Sequence, residues 1–400
     1  MNKFSVFVTA IFLFGLVFSS YGQYAIETKQ NFRKKQVSII ERITKKKKSP
    51  FAPNVNLIFR SAANLNPNQS AEALYFDIEF LRIDVTGNIS KNIYYHYRQL
   101  LNRPSDGESS LDDLGTSVQI AAVGARFGKF DILTGRQFAA FGGYEIDYLA
   151  SEIYQFAELI QNTPAAYTGV KFAYNFSPSQ QLQLQITDYY VTNFADAFGN
   201  VTKNIVRAKA PLLYTLNWNA SFFDKYYNLR WSASLGNAAK KQFNYFYAFG
   251  NEFRFTRNFN MYFDFYYATD ALDNKNIMSQ FSKAVTGFNA QDTRYISAVT
   301  RANIKLSPNF RLVLKGSYGT SGFRNSNSPT SSKLSAGRYS SAFGYVGILE
   351  YYPFKDSSLR FYTGYTGRTT WYTRKASALG FKDFTTNQIT LGINYLIPIW

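Results

Sequence analysis

The sequence predicts an all-β fold: an antiparallel transmembrane β-barrel of about sixteen strands, with short turns at one end and long loops at the other. Three observations carry this expectation. From about Asn54 to Trp400, apolar and polar residues alternate with a period of two, in segments of roughly ten residues. The connections between segments alternate between short and long. The chain ends inside an alternating segment, "QITLGINYLIPIW", on an aromatic residue. A closed barrel pairs its last strand with its first, so its chain can end at the rim.

Composition agrees. Hydrophobic residues are 46% of the 400 and charged residues 18%, which excludes a disordered polymer. Aromatics reach 18%, with 31 Tyr and 38 Phe. These rings suit strands and membrane–water interfaces. There is no Cys and one His, His96. Disulfides, Cys-based zinc sites and thiol catalysis are excluded, little remains for a His-based triad, and no cofactor is expected. The formal net charge of +18 is partly local, in "NFRKKQ" and "ITKKKK", and otherwise spread through the chain. That spread argues against a nucleic-acid patch and leaves anionic membrane surfaces or solutes as partners.

In chain order, residues 1–22 read as a signal peptide. Lys3 precedes the apolar "FSVFVTAIFLFGLVF", and the small residues Ser20 and Gly22 precede Gln23. An uncleaved membrane anchor is the bland alternative. Residues 23–52 read as a basic periplasmic extension, with "KQVSIIERI" as a short helix. Residues 53–400 form the barrel. After the N-terminal segment no run of about 18 apolar residues occurs, so only strands could cross a membrane.

Within the barrel, "YFDIEFLRIDV" changes phase between Phe80 and Leu81, which predicts a bulge. "FDILTGRQF" leaves the face of Arg136 open. Residues 137–165 form the longest early loop, with a short helix expected from about Asp147 to Ile160. "QLQLQIT", "YNLRWSASL", "NMYFDFYY", "ISAVTRANIKL" and "FRLVLKGSY" alternate cleanly. Short turns are expected near "TGNIS", "RFGKFD", "NFSPSQQ", "FFDKYYN", "FTRNFN", "LSPNF" and "YPFKDSS". Longer loops are expected over 64–72, 101–117, 137–165, 192–211, 236–243, 269–293, 320–339 and 374–386.

The polar face should line the lumen. Alternation turns Arg98, Lys171, Arg230, Arg254, Arg301, Lys305, Arg311, Lys315, Arg360 and Arg368 inward, with His96. Inward acids are fewer: Asp77, Glu79, Glu252, Asp264 and Glu350. Rings of Arg and Lys favour anions. The bland reading is that each is a charge solvated in a wet lumen.

A signal peptide, about sixteen strands and "LTGRQFAAFGGYE" before the long loop resemble the phosphate-selective porin O/P family. Gly135, Arg136, Phe141 and Gly142 match a "GR…FG" stretch common in its members. The resemblance covers most of residues 54–400. It implies a homotrimeric sixteen-stranded porin that passes small anionic solutes such as phosphate by passive diffusion, and not an enzyme. It places the protein in the outer membrane of a Gram-negative bacterium, among lipid and lipopolysaccharide. "SYGQ" and the high Tyr, Phe and Asn content look like a Bacteroidetes-type source. In porins the third loop often folds inward, which would put Glu145, Asp147, Glu152 and Glu158 at a constriction. Trp400 resembles the terminal aromatic that outer-membrane assembly machinery reads, although Phe is usual and Pro398 is a departure. The competing readings are a soluble all-β protein, a barrel plugged by its own loops, and a barrel enzyme built on Asp77, Glu79 and His96.

Overall fold

The computed structural model describes residues 38–44, 51–69, 73–103, 114, 117–190, 192–325 and 334–400. Residues 1–22, expected as a signal peptide, and most of 23–52 lie outside them.

Sixteen antiparallel strands close into a barrel, each paired with its sequence neighbours and β1 with β16. The first eight are β1 (Asn54–Leu65), β2 (Leu74–Asn88), β3 (Ile93–Leu100), β4 (Val118–Phe127), β5 (Phe130–Phe138), β6 (Ala166–Ser177), β7 (Gln180–Asp188) and β8 (Leu212–Phe222). The rest are β9 (Tyr227–Ala239), β10 (Gln242–Thr256), β11 (Phe259–Leu272), β12 (Gln291–Lys305), β13 (Phe310–Phe323), β14 (Gly337–Tyr351), β15 (Arg360–Tyr372) and β16 (Phe384–Pro398).

Alternation explains the wall. Along β13, Leu314 and Tyr318 are exposed outward, while Arg311, Lys315 and Ser317 are buried inward. Closure leaves no edge, so every strand finds two partners. All seven expected short turns are present, at one end of the barrel. At the other end the strands run further than the sequence suggests. The loop expected over 236–243 is reduced to Lys240 and Lys241, with Lys241 at φ 60. Those expected over 269–293, 320–339 and 374–386 shrink to 273–290, 324–336 and 373–383. The β2 bulge is real but lies earlier: its register against β1 shifts over Asp77–Phe80.

The seam answers how the chain can end on a strand. Val55 N–H donates to the Trp400 carbonyl at 2.9 Å, and Ile399 N–H donates to the Val55 carbonyl at 2.8 Å. Pro398 lies opposite Asn56, while β15 has no register partner for β16 beyond Asn394. Its missing N–H therefore faces a side where the ladder has already ended. The helix Ile39–Thr44 sits beside this seam, with Ile40 N–H donating to the Ile399 carbonyl. Ser38 and Glu41 form a reciprocal cap at its start: Glu41 N–H donates to Ser38 Oγ, and Ser38 N–H to Glu41 Oε2.

Candidate functional site

The third loop, residues 139–165, leaves β5 and folds into the lumen. Glycines permit the crossing. Gly142 N–H donates to Ser232 Oγ on β9 at 2.8 Å, and Gly143 N–H to the Arg230 carbonyl at 3.0 Å. A Cβ at Gly142 would collide with that same carbonyl. Gly143 has φ 102 and lies against Gly250 of β10. Asp264 of β11 then accepts the N–H groups of Tyr144 and Glu145 at 2.9 and 2.8 Å, completing the first turn of the loop. The helix expected over 147–160 is instead three single turns: Tyr144–Asp147, Ala150–Glu152 and Glu158–Gln161. The extended stretch between the second and third turns gives the carbonyls of Ile153, Gln155 and Phe156 to the wall.

That wall is basic. Lys315 binds Glu145 at 2.6 Å and also the Gln155 carbonyl. Arg360 and Arg311 bind the two oxygens of Glu152 at 2.6 and 3.1 Å. Arg60 and Arg301 donate to the carbonyls of Ser151, Ile153 and Glu152, and Arg368 to that of Phe156. Asp147 pairs with Arg230 at 2.7 Å. Burial alone would raise Glu152, yet the Arg360 and Arg311 guanidiniums hold its carboxyl below the ordinary Glu range. Burial pushes Glu158 up, against the opposing pull of Arg368.

The inward direction expected for the basic residues is therefore found, with a different consequence for six of the ten. Arg301, Arg311, Lys315, Arg360 and Arg368 hold the third loop from one side and Arg230 from the other, through Asp147. Glu145 and Glu152 turn toward that wall instead of presenting free carboxylates to the pore. Arg254 pairs with Glu252 near the short-turn end. Arg98, Lys171, Arg230, Lys305, Arg311 and Arg360 line an open cavity of ≈ 1140 Å³, which runs beside the loop.

This cavity lies along β1–β9 and the loop, and reaches the short-turn ends of β12, β13, β15 and β16, at Lys305, Arg311, Arg360 and Asn394. Eight Lys and Arg side chains line it against five Asp and Glu. Five of the eight sit in ion pairs that leave the wall charge locally balanced: Arg98 with Asp84, Arg126 with Asp131, Arg230 with Asp147, and Arg311 and Arg360 both with Glu152. Arg82 and Lys171 form no direct ion pair among the described residues, although Asp84 lies near the first and Asp131 and Asp147 near the second. Arg82 is 1% exposed, stacks its guanidinium over Phe80, and leaves Nε and one terminal nitrogen without a hydrogen bond.

Sequence reading missed Arg82 because the phase break in β2 hid its face. It also missed Asp264 as an anchor; the signal was one acid inside the aromatic run "NMYFDFYY". The proposed enzymatic grouping is not brought together. Glu79 is held by Arg60 and Tyr362, and His96 bonds Asp84 at 3.0 Å. Of the stretch that carried the family resemblance, Gly142 and Phe141 belong to the loop crossing. Phe141 packs on Tyr167 and Phe246. Gly135 has φ 114, and a Cβ there would meet the Ala121 carbonyl. Arg136 is buried opposite Ala121, on the outer face by register, with the Leu114 carbonyl accepting from it.

The family model for phosphate-selective porin O and P matches residues 59–397. No curated protein matches the chain in sequence. Among solved structures, the chain is similar to the outer membrane channel DcaP of Acinetobacter baumannii, with TM-score 0.60 and 14% identity over 88% of this chain and 99% of that one. OmpT of Vibrio cholerae in a trimer form gives 0.54 and 12%, over 86% and 99%. An anion-selective porin from Comamonas acidovorans gives 0.52 and 7%, over 86% and 99%. At such identities the likeness establishes the barrel fold.

Proposed function

This chain belongs to the phosphate-selective porin O and P family and is an outer-membrane channel, and from that premise we propose that it passes small anions by passive diffusion through the cavity beside the third loop. One observation carries the reading: the cavity wall keeps two cations, Arg82 and Lys171, that form no ion pair with an acid among the described residues. A guanidinium buried without a partner is costly unless a mobile anion or water satisfies it. The five bases under the loop supply no such preference, because loop acids and carbonyls already occupy them. Phosphate fits a guanidinium in geometry, and the family name supports it as a solute. A homotrimer belongs to the same reading, in line with the trimer form of the Vibrio cholerae protein. Lipid and lipopolysaccharide would contact the outward rings, and assembly machinery would read Trp400.

A plugged barrel is the second reading, favoured by the apolar packing of loops inside the β7–β15 side. Planar-bilayer recording under a KCl gradient separates the two. A stable conductance reversing near the chloride potential, and shifting toward zero in Arg82→Gln with Lys171→Gln, is the expected result. A reversal near the potassium potential overturns the anion reading. Silence from a folded, heat-modifiable protein establishes the plug.

A further inference from the structure

The wall of β6–β9 has a second property. Lys171 lies opposite Gln185, Gln183 opposite Asn217, Gln181 opposite Asn219, and Asn219 opposite Arg230. Lys171, Gln181, Gln183, Asn217, Asn219 and Arg230 thus form one contiguous patch, and all six line the cavity. Adjacent strands are about 4.8 Å apart, so the patch is roughly 14 Å wide, room for a sugar-sized solute.

Its hydrogen bonding is incomplete. Gln181 is used by its neighbours: it accepts from Gln183 and Asn219 and donates to Asn175. Asn217 is 4% exposed, yet its Oδ1 accepts nothing and its amide nitrogen donates to none of the described residues. At the β6 edge, Lys171 has no ion pair among the described residues. At the β9 edge Arg230 already faces Asp147. An anionic group is therefore drawn to the Lys171 side, and the amides lie beside it.

Amides offer acceptors as well as donors. Chloride donates nothing, and phosphate near neutral pH has few hydrogens to give. Either would leave the buried Asn217 amide oxygen without a donor. A hydroxylated solute brings donors for it as well as acceptors for the amide nitrogens. We infer that the β6–β9 wall is a binding track for small organic anions that carry several hydroxyl groups, sugar acids or sugar phosphates, in preference to inorganic anions. This deepens, and rests on, the anion-channel reading above.

The test is block of the chloride current in a planar bilayer by four probes: glucuronate, glucose 6-phosphate, glucose and inorganic phosphate. The two sugar anions are expected to half-block at concentrations about tenfold below both glucose and phosphate, the yield of one or two hydrogen bonds gained over water. Equal potency of glucuronate and glucose 6-phosphate points to the hydroxyls plus charge; a gap between them tells which acid group the track takes. Asn217→Ala with Gln183→Ala should bring the sugar-anion and phosphate values together, and Lys171→Gln should weaken block by both sugar anions. Heat-modifiability on gels confirms that each variant is folded. An anion-selective pore in which phosphate matches glucuronate, or glucose does, overturns this inference and leaves the anion channel standing. A cation-selective pore overturns both.

Discussion

Glu152 concentrates the anchoring of the third loop in one carboxylate. It is 7% exposed and shared by Arg311 and Arg360. Removing one side of a buried pair costs about 3–5 kcal/mol, because the partner charges stay buried. Glu152→Gln is therefore expected to undock the loop while the barrel persists, seen as a larger and noisier single-channel conductance. The pH dependence has a definite sign. Because the carboxyl is held below its ordinary value, the ion pairs contribute fully above the unfolded Glu pKa of about 4.3 and are lost as pH falls through the lower native value. The conductance step that Glu152→Gln abolishes should therefore lie below about pH 5. A step near pH 6 that is present in the wild type and lost in Glu152→Gln would refute the assignment. The basic half of this contact was legible, since parity alone sends Arg311 inward. Its acidic half was not: Glu152 is 159 residues away from Arg311 in the chain, and nothing local in "LASEIYQ" shows which wall it will meet.

At the scale of elements, strands were legible wherever one face meets lipid and the other water or polar side chains. Period-two patterning then carries both existence and direction, as in β7, β9 and β12. Their upper ends were not. Near Ala238, Ala248 and Ala268 the inward face is apolar because loops cover it, so the alternation fades before the strand stops. The third loop failed as a helix for a related reason. Its backbone hydrogen bonds go to wall side chains such as Asp264, Ser232 and Arg60, so no continuous helix is needed to satisfy them. Its glycines, by contrast, are readable physical demands. Gly142→Ala would press a methyl group into the Arg230 carbonyl, which the barrel cannot move. The expected result is a displaced loop and altered conductance in a folded barrel. Gly128→Ala is the matched control: its φ is 59, but no atom lies within 4 Å of the added Cβ. It should cost about 1–2 kcal/mol of backbone strain and leave conductance as it was. Equal effects of the two substitutions would remove close approach as the reason for Gly142.

The whole molecule is divided along its axis. The charged, amide-lined cavity runs along β1–β9 and the short-turn ends of β12–β16; toward the long-loop end of the β7–β15 side the loops pack into the barrel as an apolar core. Phe194 and Phe198 come from the fourth loop, Ile277, Met278 and Phe281 from the sixth, Leu334 from the seventh and Ala376 from the eighth. They meet inward rings of the wall, among them Tyr262, Tyr266, Tyr295 and Tyr339. Alternation in "NMYFDFYY" turns Tyr262 inward, while Tyr339 falls in an expected loop, and nothing in the sequence says that loops, not water, would cover these rings. A barrel of this size would otherwise hold a wide aqueous channel. On the anion-channel reading, the loop core sets the pore by subtraction: it fills one side of the lumen and leaves the path beside Arg82 and Lys171. Phe281 is the position to test, being fully buried against Tyr339, Tyr372 and Phe381. Phe281→Ala removes about 3–5 kcal/mol of packing from the loops, while the strand ladder stays intact. If the core closes a second path, conductance rises and anion preference falls together, since the new path adds current without adding unpaired cations. A rise in conductance at constant selectivity would mean that the same path had merely widened. No change in either, in a folded variant, would mean that the core stabilises the loops without shaping the pore.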